Sequence, residues 1–279
     1  MNIAFSPCPN DTFVFHAWVH GHIQGAPPLH VTYADIDITN HLAAEGKGPE
    51  VMKISYAALP YVLEDYALIP CGGALGRGCG PLLLTKGKTG DDPNILNGKT
   101  IAVPSERSTA YLLFRLWVAQ QLDGQVGKIV VMPFHEIMPA VRNGTVDAGL
   151  VIHEARFTYQ AYGLTMLQDL GSWWEEDTGL PIPLGAIIAK RGLDVSAIQS
   201  WIKQSVQYAW AHPDASKEYV MSHAQEMAEE VAKSHIDLYV NTFTEDLGED
   251  GYRAVESLLV RAVEEDLVPA FKKEWLREK

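Results

Sequence analysis

One stretch of the chain places two titratable residues directly after an apolar segment. Residues 148–152 are all small or apolar, and His153 and Glu154 follow them. Such a run predicts a short strand buried on both faces, as in a parallel sheet. The carboxyl end of such a strand lines the ligand crevice of open α/β sheets. Because imidazole exchanges protons near neutral pH, His153 is the candidate general base. The alternative is a histidine that hydrogen-bonds the backbone at a strand end.

Polar residues also gather at four predicted junctions between a strand and the next helix. These junctions are residues 6–11, 37–40 (ending in Asn40), 53–55 and 105–109. The unpaired N–H groups and the dipole at a helix N-terminus favour an anion. The hydroxyls of Ser55, Ser108 and Thr109 add donors. Helix capping explains any single Ser or Thr, but four junctions at one crevice favour a site for a small anionic substrate.

Two further side chains at these junctions have chemistry of their own. Lys53 ends an otherwise apolar strand, and a buried cation needs a carboxylate partner or a ligand. Lys53 could therefore neutralise a ligand carboxylate, unless it lies on the surface of an edge strand. Cys8, between two prolines at the start of a helix, could be a nucleophile because thiolate is favoured there. A packed or substrate-facing thiol lining the crevice is the preferred interpretation.

No metal or organic cofactor is expected from the residue pattern. His16, His20 and His22 resemble half a zinc site, but no HExxH motif or third ligand accompanies them. Cys8, Cys71 and Cys79 have no metal-ligand spacing, so we expect reduced thiols. The glycines between positions 72 and 80 match neither a phosphate loop nor a dinucleotide fingerprint, and we interpret them as a loop.

The order of the predicted elements indicates an α/β protein with two lobes. Residues 2–64 read as β-α-β-α-β-α, and a second α/β unit follows residue 99. The first helix is predicted over 12–20 with Asn10 or Asp11 as its cap, and the third is predicted to be capped by Ser55 and to reach about residue 64. The segments 80–86 and 183–190 resemble each other, and we interpret them as paired strands that join the lobes. Beyond Arg191 the apolar spacing is helical. The predicted lobes are residues 1–87 with 188–279, and residues 88–187, with a ligand cleft between them.

Composition and charge limit the possible partners. The 279 residues carry a net charge of −13, which disfavours nucleic acid or an anionic membrane surface as a partner. No apolar run approaches the roughly 20 residues that span a bilayer. No basic segment followed by an apolar run opens the chain, so we expect no signal peptide and a cytoplasmic location. The pattern leaves the oligomeric state open.

Four segments carry a resemblance to a known family. The heptapeptide SPCPNDT at residues 6–12 resembles the opening of the 1,4-dihydroxy-6-naphthoate synthases. The segments KIS at 53–55, PSERSTA at 104–110 and GLVIHE at 149–154 are also similar to that family. The resemblance extends over essentially the whole chain, and the heptapeptide is its most specific part.

The resemblance implies a type II periplasmic-binding-protein fold that has become an enzyme. It implies a carbon–carbon lyase of the futalosine route to menaquinone, which converts cyclic dehypoxanthine futalosine to dihydroxynaphthoate and releases a sugar-derived fragment without a cofactor. By resemblance His153 is the proton acceptor. The implied substrate contacts are Lys53, Ile54, Ser55, Ser108 and Thr109, and the junction analysis adds Asn40 and Cys8.

Two alternatives share the implied fold. Chorismate dehydratase belongs to the same pathway, but the N-terminal heptapeptide is not expected in it. A solute-binding protein of a transporter would have no catalytic chemistry, and the expected absence of a signal peptide disfavours it. The enzyme that forms dihydroxynaphthoate is therefore the expected function.

Overall fold

The chain forms two compact units in the computed structural model, which describes residues 1–87, 92–224 and 228–277. The first unit comprises Met1–Gly76 and Pro183–Lys279, and the second comprises Arg77–Ile182. The chain thus passes between the units after residues 76 and 182, whereas the expected boundaries followed residues 87 and 187. Residue 88, the first of the expected second lobe, lies outside the described part of the chain.

Strands and helices alternate through both units. Within the described residues the strands are β1 (Asn2–Phe5), β2 (His30–Tyr33), β3 (Val51–Ser55), β4 (Tyr66–Gly76), β5 (Leu82–Lys86), β6 (Thr100–Val103), β7 (Lys128–Val131), β8 (Ala148–Val151), β9 (Leu164–Asp169) and β10 (Ile182–Lys190). The α-helices are α1 (Pro9–Val19), α2 (Ile36–Ala44), α3 (Thr109–Gln121), α4 (Phe134–Asn143), α5 (Ala155–Thr158), α6 (Leu170–Thr178), α7 (Val195–Ala211), α8 (Lys217–His223), α9 (Glu229–Tyr239), α10 (Thr242–Glu245) and α11 (Gly248–Glu264). The 3₁₀ helices are Tyr56–Tyr61, Pro93–Leu96, Tyr159–Tyr162, Pro213–Ser216 and Lys273–Leu276.

The first unit is built on a five-stranded mixed sheet in the order β2-β1-β3-β10-β4. β1 runs parallel to both β2 and β3, while β10 runs antiparallel to β3. One core cluster joins this sheet to α1 and α7 through residues such as Phe5, Phe15 and Trp18. The helical spacing of Ile198, Ile202, Val206 and Ala209 is confirmed, because all four lie buried on α7. The α/β prediction is therefore confirmed for this unit.

The first helix begins three residues earlier than the sequence predicts. α1 starts at Pro9, with Cys8 as its N-cap residue, instead of at Thr12. Proline suits a first helical position because its ring fixes φ near −65° and its missing N–H would have no helical partner there. Asn10 and Asp11, expected as caps, thus lie within the first turn of α1. Neither needs to cap the helix, and both side chains are available for other contacts.

Three of the glycines expected to form a loop instead belong to a long strand. β4 is buried along its whole length and includes Gly72, Gly73 and Gly76. A Cβ at position 73 would lie 2.5 Å from the carbonyl oxygen of Gly185, and Gly72 has a φ of +75°. These glycines therefore permit a close approach of two backbones and a left-handed residue within a strand. The prediction of a loop was wrong for these three glycines, whereas Gly78 and Gly80 do lie in the loop between β4 and β5.

The second unit has its own five-stranded mixed sheet, in the order β7-β6-β8-β5-β9. β6 is parallel to β7 and β8, and β5 is antiparallel to β8 and β9. Because β5 lies in this sheet and β10 lies in the sheet of the first unit, the two similar segments do not pair with each other. Their shared apolar pattern reflects burial within separate sheets, and the prediction of paired connecting strands was wrong. No helix among the described residues is long and apolar enough to span a membrane.

Candidate active site

The junctions of the first unit share one edge of its sheet. β2, β1 and β3 are neighbouring parallel strands, so their carboxyl ends and the following helix N-termini emerge together. This topology brings together residues that lie far apart in sequence, including Asp11 on α1, Asn40 on α2 and the end of β3. Within this unit, the polar segments that follow β1, β2 and β3 therefore lie at the same edge of the sheet, as predicted.

Lys53 forms a buried ion pair with Asp11. The Lys53 side chain is 6% exposed and that of Asp11 is 2% exposed, and the ammonium contacts Oδ1 of the carboxylate. A Cβ at position 185, opposite Ser55 in β10, would lie 2.8 Å from Cε of Lys53. The lysine stem therefore extends over Gly185 toward the carboxyl end of β3. The interpretation of Lys53 as a surface lysine on an edge strand was wrong, because the side chain is buried and β3 is the central strand of its sheet. Its carboxylate partner comes from within the chain.

The Asp11 carboxylate is held by further donors. The Ser6 hydroxyl donates to Oδ2 at 2.7 Å, and Nδ2 of Asn10 donates to Oδ1 at 2.9 Å. Nε2 of His235, on α9, lies 3.1 Å from Oδ1 of Asn10. Asn10 was predicted only as a junction or cap residue, and His235 was not predicted at all. The need of a buried lysine for a carboxylate could have pointed to Asp11, whereas the pattern of α9 gave no signal for His235.

Asn40 and Ser55 bind each other at two points. Nδ2 of Asn40 donates to the Ser55 hydroxyl at 3.0 Å, and the Ser55 backbone N–H donates to Oδ1 of Asn40 at 2.7 Å. Ser55 was expected to cap a helix reaching residue 64, but its side chain makes no cap bond and only the short 3₁₀ helix 56–61 follows. Pro60 within that segment disfavours an α-helix. The Ile54 side chain is fully buried.

Cys8 is the N-cap residue of α1. Its carbonyl oxygen accepts hydrogen bonds from the N–H groups of Asp11 and Thr12, both at 3.1 Å. The Cys8 side chain is buried, and the described cysteines form no disulfide. Burial raises the pKa of the Cys79 thiol to about 12, so this cysteine is unsuited to act as a thiolate nucleophile.

In the second unit, His153 lies where three parallel strands end. β7, β6 and β8 are neighbours, so the N-terminus of α4, the segment before α3 and the turn after β8 share one edge of this sheet. His153 follows the end of β8 by two residues, and its ring packs edge-on against Phe134 with 5.3 Å between the ring centroids. This edge therefore carries both the candidate base and the candidate anion site of α3.

The backbone at His153 is held in an unusual conformation. His153 has a φ of +56°, in the left-handed region that side-chain-bearing residues rarely adopt. Arg156, three residues later, holds the following turn in place. Its guanidinium donates to the carbonyl oxygen of Gly80 at 2.7 Å and to Oδ2 of Asp169 at 2.6 Å. Such local strain persists where surrounding contacts enforce it, and it is frequent at active sites.

Glu154 stands at the N-terminus of α5, as expected of a carboxylate at a helix start. It makes no cap hydrogen bond, however, and α5 is a single short turn. Its Oε2 atom is buried and has no hydrogen-bond partner among the described residues.

Ser108 caps α3. Its hydroxyl accepts from the backbone N–H of Tyr111 at 3.1 Å and donates to the carbonyl oxygen of Ser105 at 2.8 Å. The single hydroxyl proton is therefore engaged within the chain, and the capping interpretation holds for this side chain. Thr109, the first residue of α3, is buried at the same N-terminus.

His16 on α1, with His20 and His22 just beyond its C-terminus, belongs to an aromatic cluster that also includes Tyr208 and Tyr219. The ring centroids of His16 and His20 are 4.4 Å apart, and those of His22 and Tyr208 are 5.1 Å apart. Among the described residues, no three His, Cys, Asp or Glu side chains are grouped so as to hold a metal ion. Burial of His16, reinforced by His20 and His22, lowers the pKa of His16 from 6.5 to about 4.

This cluster predicts a loss of stability on acidification. Between pH 6.5 and about 4 the unfolded chain protonates His16 while the folded chain does not, so the free energy of unfolding falls as the pH falls through this range. We expect the wild type to lose about 2 kcal/mol more than His16→Leu between pH 7 and about 4.5, after allowance for solvent screening. Urea unfolding at both pH values measures this. His30→Gln, at an exposed histidine, should behave like the wild type, and equal losses in all three proteins would contradict the assignment.

Comparisons with known proteins agree with this architecture. A family model described as "Menaquinone biosynthesis" matches residues 1–264. A 1,4-dihydroxy-6-naphthoate synthase of Streptomyces coelicolor is 64% identical over 97% of this chain and 95% of its own length. Another, of Thermus thermophilus, is 44% identical over 94% of this chain and 93% of its own.

Solved structures show the fold. A crystal structure of an Archaeoglobus fulgidus protein aligns with a TM-score of 0.86 at 33% identity, covering 96% of this chain and 98% of that one. A Candida albicans protein described as having the generic periplasmic binding protein fold aligns with a TM-score of 0.71 at 13% identity, covering 99% and 93%. The expected two-lobed periplasmic-binding-protein-like fold is therefore confirmed.

Proposed function

The chain belongs to the menaquinone biosynthesis family and to its 1,4-dihydroxy-6-naphthoate synthases, and we propose that it converts cyclic dehypoxanthine futalosine to 1,4-dihydroxy-6-naphthoate. The observation that carries the proposal is the 64% identity to a synthase of that name over nearly the full length of both chains. The reaction makes the chain a carbon–carbon lyase that releases a small sugar-derived fragment.

His153 is the general base of this proposal. Aromatisation of the cyclic substrate requires removal of a proton from a carbon or a hydroxyl, and neutral imidazole is suited to accept it. The position of His153 beyond β8, at the edge where β6 and β7 also end, supports this role. Its left-handed backbone, enforced by the turn that Arg156 anchors, gives further support.

Each unit carries its own set of proposed substrate contacts. In the first unit the proposed contacts are Cys8, Asn40, Lys53, Ile54 and Ser55, all of which lie at the carboxyl edge of the sheet. Because the side chain of Ile54 is buried in the core, its backbone makes the proposed contact. In the second unit Ser108 and Thr109 lie at the N-terminus of α3, where the helix dipole favours a carboxylate. The Ser108 hydroxyl proton is already engaged within the chain, so the proposed role of Ser108 is to cap α3 and hold its N-terminus in place.

Two substitutions separate capping from binding at α3. Thr109→Val removes a hydroxyl that is proposed to donate to the substrate carboxylate, and we expect kcat/KM to fall roughly tenfold to a hundredfold. Ser108→Ala removes the cap, and we expect it to lower the free energy of unfolding by about 1 kcal/mol. Steady-state kinetics and urea unfolding of both variants measure the two effects. Unchanged kinetics in Thr109→Val would remove this side chain from the binding site.

Product analysis tests the activity itself. The purified full chain is incubated separately with cyclic dehypoxanthine futalosine and with chorismate, and the products are identified by mass spectrometry. We expect dihydroxynaphthoate from the first substrate and no turnover of the second. Turnover of chorismate would assign the chain to the dehydratase reaction. Tight binding of a small anion without turnover of either substrate would indicate a solute-binding protein.

A further inference from the structure

A buried chain of hydrogen bonds connects α9 with the candidate substrate-binding edge of the first unit. It runs from His235 through Asn10 and Asp11 to Lys53, and we call it the His235–Lys53 chain. Its members are between 1% and 7% exposed. Residues 10, 11 and 53 lie at that edge, whereas His235 belongs to a C-terminal helix that the site assignment does not include.

The direction of each hydrogen bond in this chain follows from the carboxylate. An ionised carboxylate only accepts, so the Asn10 amide must turn its NH₂ group toward Asp11, at 2.9 Å. Its carbonyl oxygen then faces Nε2 of His235 at 3.1 Å. Because an amide oxygen only accepts, Nε2 of His235 carries the proton of this bond. The negative charge of Asp11 thus sets the orientation of the Asn10 amide, and this orientation requires a proton on Nε2 of His235.

The His235–Lys53 chain of hydrogen bonds restricts the side chain of Lys53, which would otherwise have considerable conformational freedom. A lysine ammonium lies at the end of a flexible four-carbon stem and has no preferred planar geometry. Here it contacts Oδ1 of Asp11, the atom to which Asn10 also donates. Ser6 holds the other carboxylate oxygen at 2.7 Å. Movement of Asn10 would therefore move the oxygen that fixes the ammonium.

We propose that His235 is a positioning residue for Lys53, acting through Asn10 and Asp11. The proposal rests on the proposed contact between Lys53 and the substrate. His235 does not itself touch the substrate in this proposal. Its N–H group fixes the Asn10 amide, which completes the donor set of Asp11 and so holds the lysine ammonium in its binding position.

Kinetics of two variants at position 235 test this role. His235→Leu removes the donor, and we expect KM to rise about threefold to tenfold, as for a lost neutral hydrogen bond, with kcat within about twofold. His235→Gln retains an N–H group near the position of Nε2 and should keep the wild-type KM. His16→Leu removes another buried histidine of this unit and is the matched control, with KM unchanged. Equal effects of the Leu and Gln variants at position 235 would show a packing role and overturn the proposal.

A double-mutant cycle tests whether the effect passes through Lys53. In a Lys53→Met background the step His235→Leu should leave KM unchanged, because the positioned group is gone. Additive effects of the two substitutions would overturn the proposal. If Lys53→Met alone left KM unchanged, the substrate contact of Lys53 would be refuted, and the following measurement would still decide the positioning.

Nuclear magnetic resonance of the full chain gives a readout without substrate. In protein labelled with ¹⁵N at the lysine side chains, the Lys53 signal is identified by its loss in Lys53→Met. We expect His235→Leu to shift this signal, and His235→Gln and His16→Leu to leave it in place. If His235→Leu does not fold, His235→Asn, whose amide is too short to reach Asn10, replaces it. An unshifted Lys53 signal in the folded variant would overturn the proposal.

Discussion

Replacing His153 by alanine is expected to lower kcat by about 10²–10⁴-fold, the usual contribution of a positioned general base. The variant should keep its fold, because the Arg156 contacts that hold the following turn do not involve the imidazole. Single-turnover kinetics and a product-binding assay of the variant measure both effects.

The controls for this prediction separate the base from its surroundings. Phe134→Leu removes the ring that packs against His153 but leaves the base, so its loss of kcat should be much smaller. His153→Asn keeps a polar side chain that tolerates the left-handed backbone, and it should be as inactive as the alanine variant. Turnover near the wild-type rate in a folded His153 variant would remove His153 from the chemistry, and Cys8 would be tested next.

Replacing Asp11 by asparagine is expected to lower the free energy of unfolding by about 3–5 kcal/mol, the usual loss when one partner of a buried ion pair is removed. The ammonium of Lys53 would then remain in a site where its side chain is 6% exposed, without a counter-charge. Adding Lys53→Met should recover most of the loss, because an apolar replacement of the whole pair is often neutral. Urea unfolding of the two variants at pH 7 measures this.

An exposed ion pair provides the matched control. Lys273 and Glu256 are 3.0 Å apart, and their side chains are 55% and 43% exposed. Glu256→Gln should change the free energy of unfolding by less than about 1 kcal/mol, because water solvates the remaining charge. If Asp11→Asn were as mild as Glu256→Gln, Lys53 would have to reach solvent or another partner in the variant.

Local patterns in the sequence were sufficient for most of the elements. The apolar run of β8 and the helical spacing of α7 predicted their structures because each pattern reports burial of a face. β4 was missed because Gly72 and Gly73, read locally, indicate a turn. Their actual role depends on the close approach of β10, which lies more than a hundred residues later. Sequence periodicity carries no information about such a contact.

The position of the candidate site could be predicted from the sequence, but the ion pair and hydrogen bonds between its residues could not. Strand ends predicted where Lys53 and His153 would lie, because topology places ligands there. The ion pair of Lys53 with Asp11 joins residues 42 positions apart, and the hydrogen bond of Asn10 with His235 joins residues 225 positions apart. On α9, His235 occupies a position that the apolar spacing of that helix would assign to the core. The pattern of such a helix cannot distinguish an apolar core residue from a buried donor.

At position 153 the left-handed backbone favours residues other than histidine for stability, whereas the proposed activity requires histidine. Glycine adopts this conformation without steric penalty, whereas a residue with a Cβ is destabilised there by about 1–2 kcal/mol. A library selected only for thermal resistance should therefore enrich glycine or asparagine at position 153 and discard the base. Selection for growth that depends on menaquinone should keep histidine in spite of its strain. The position is thus one where the sequence best for folding and the sequence best for the proposed catalysis differ.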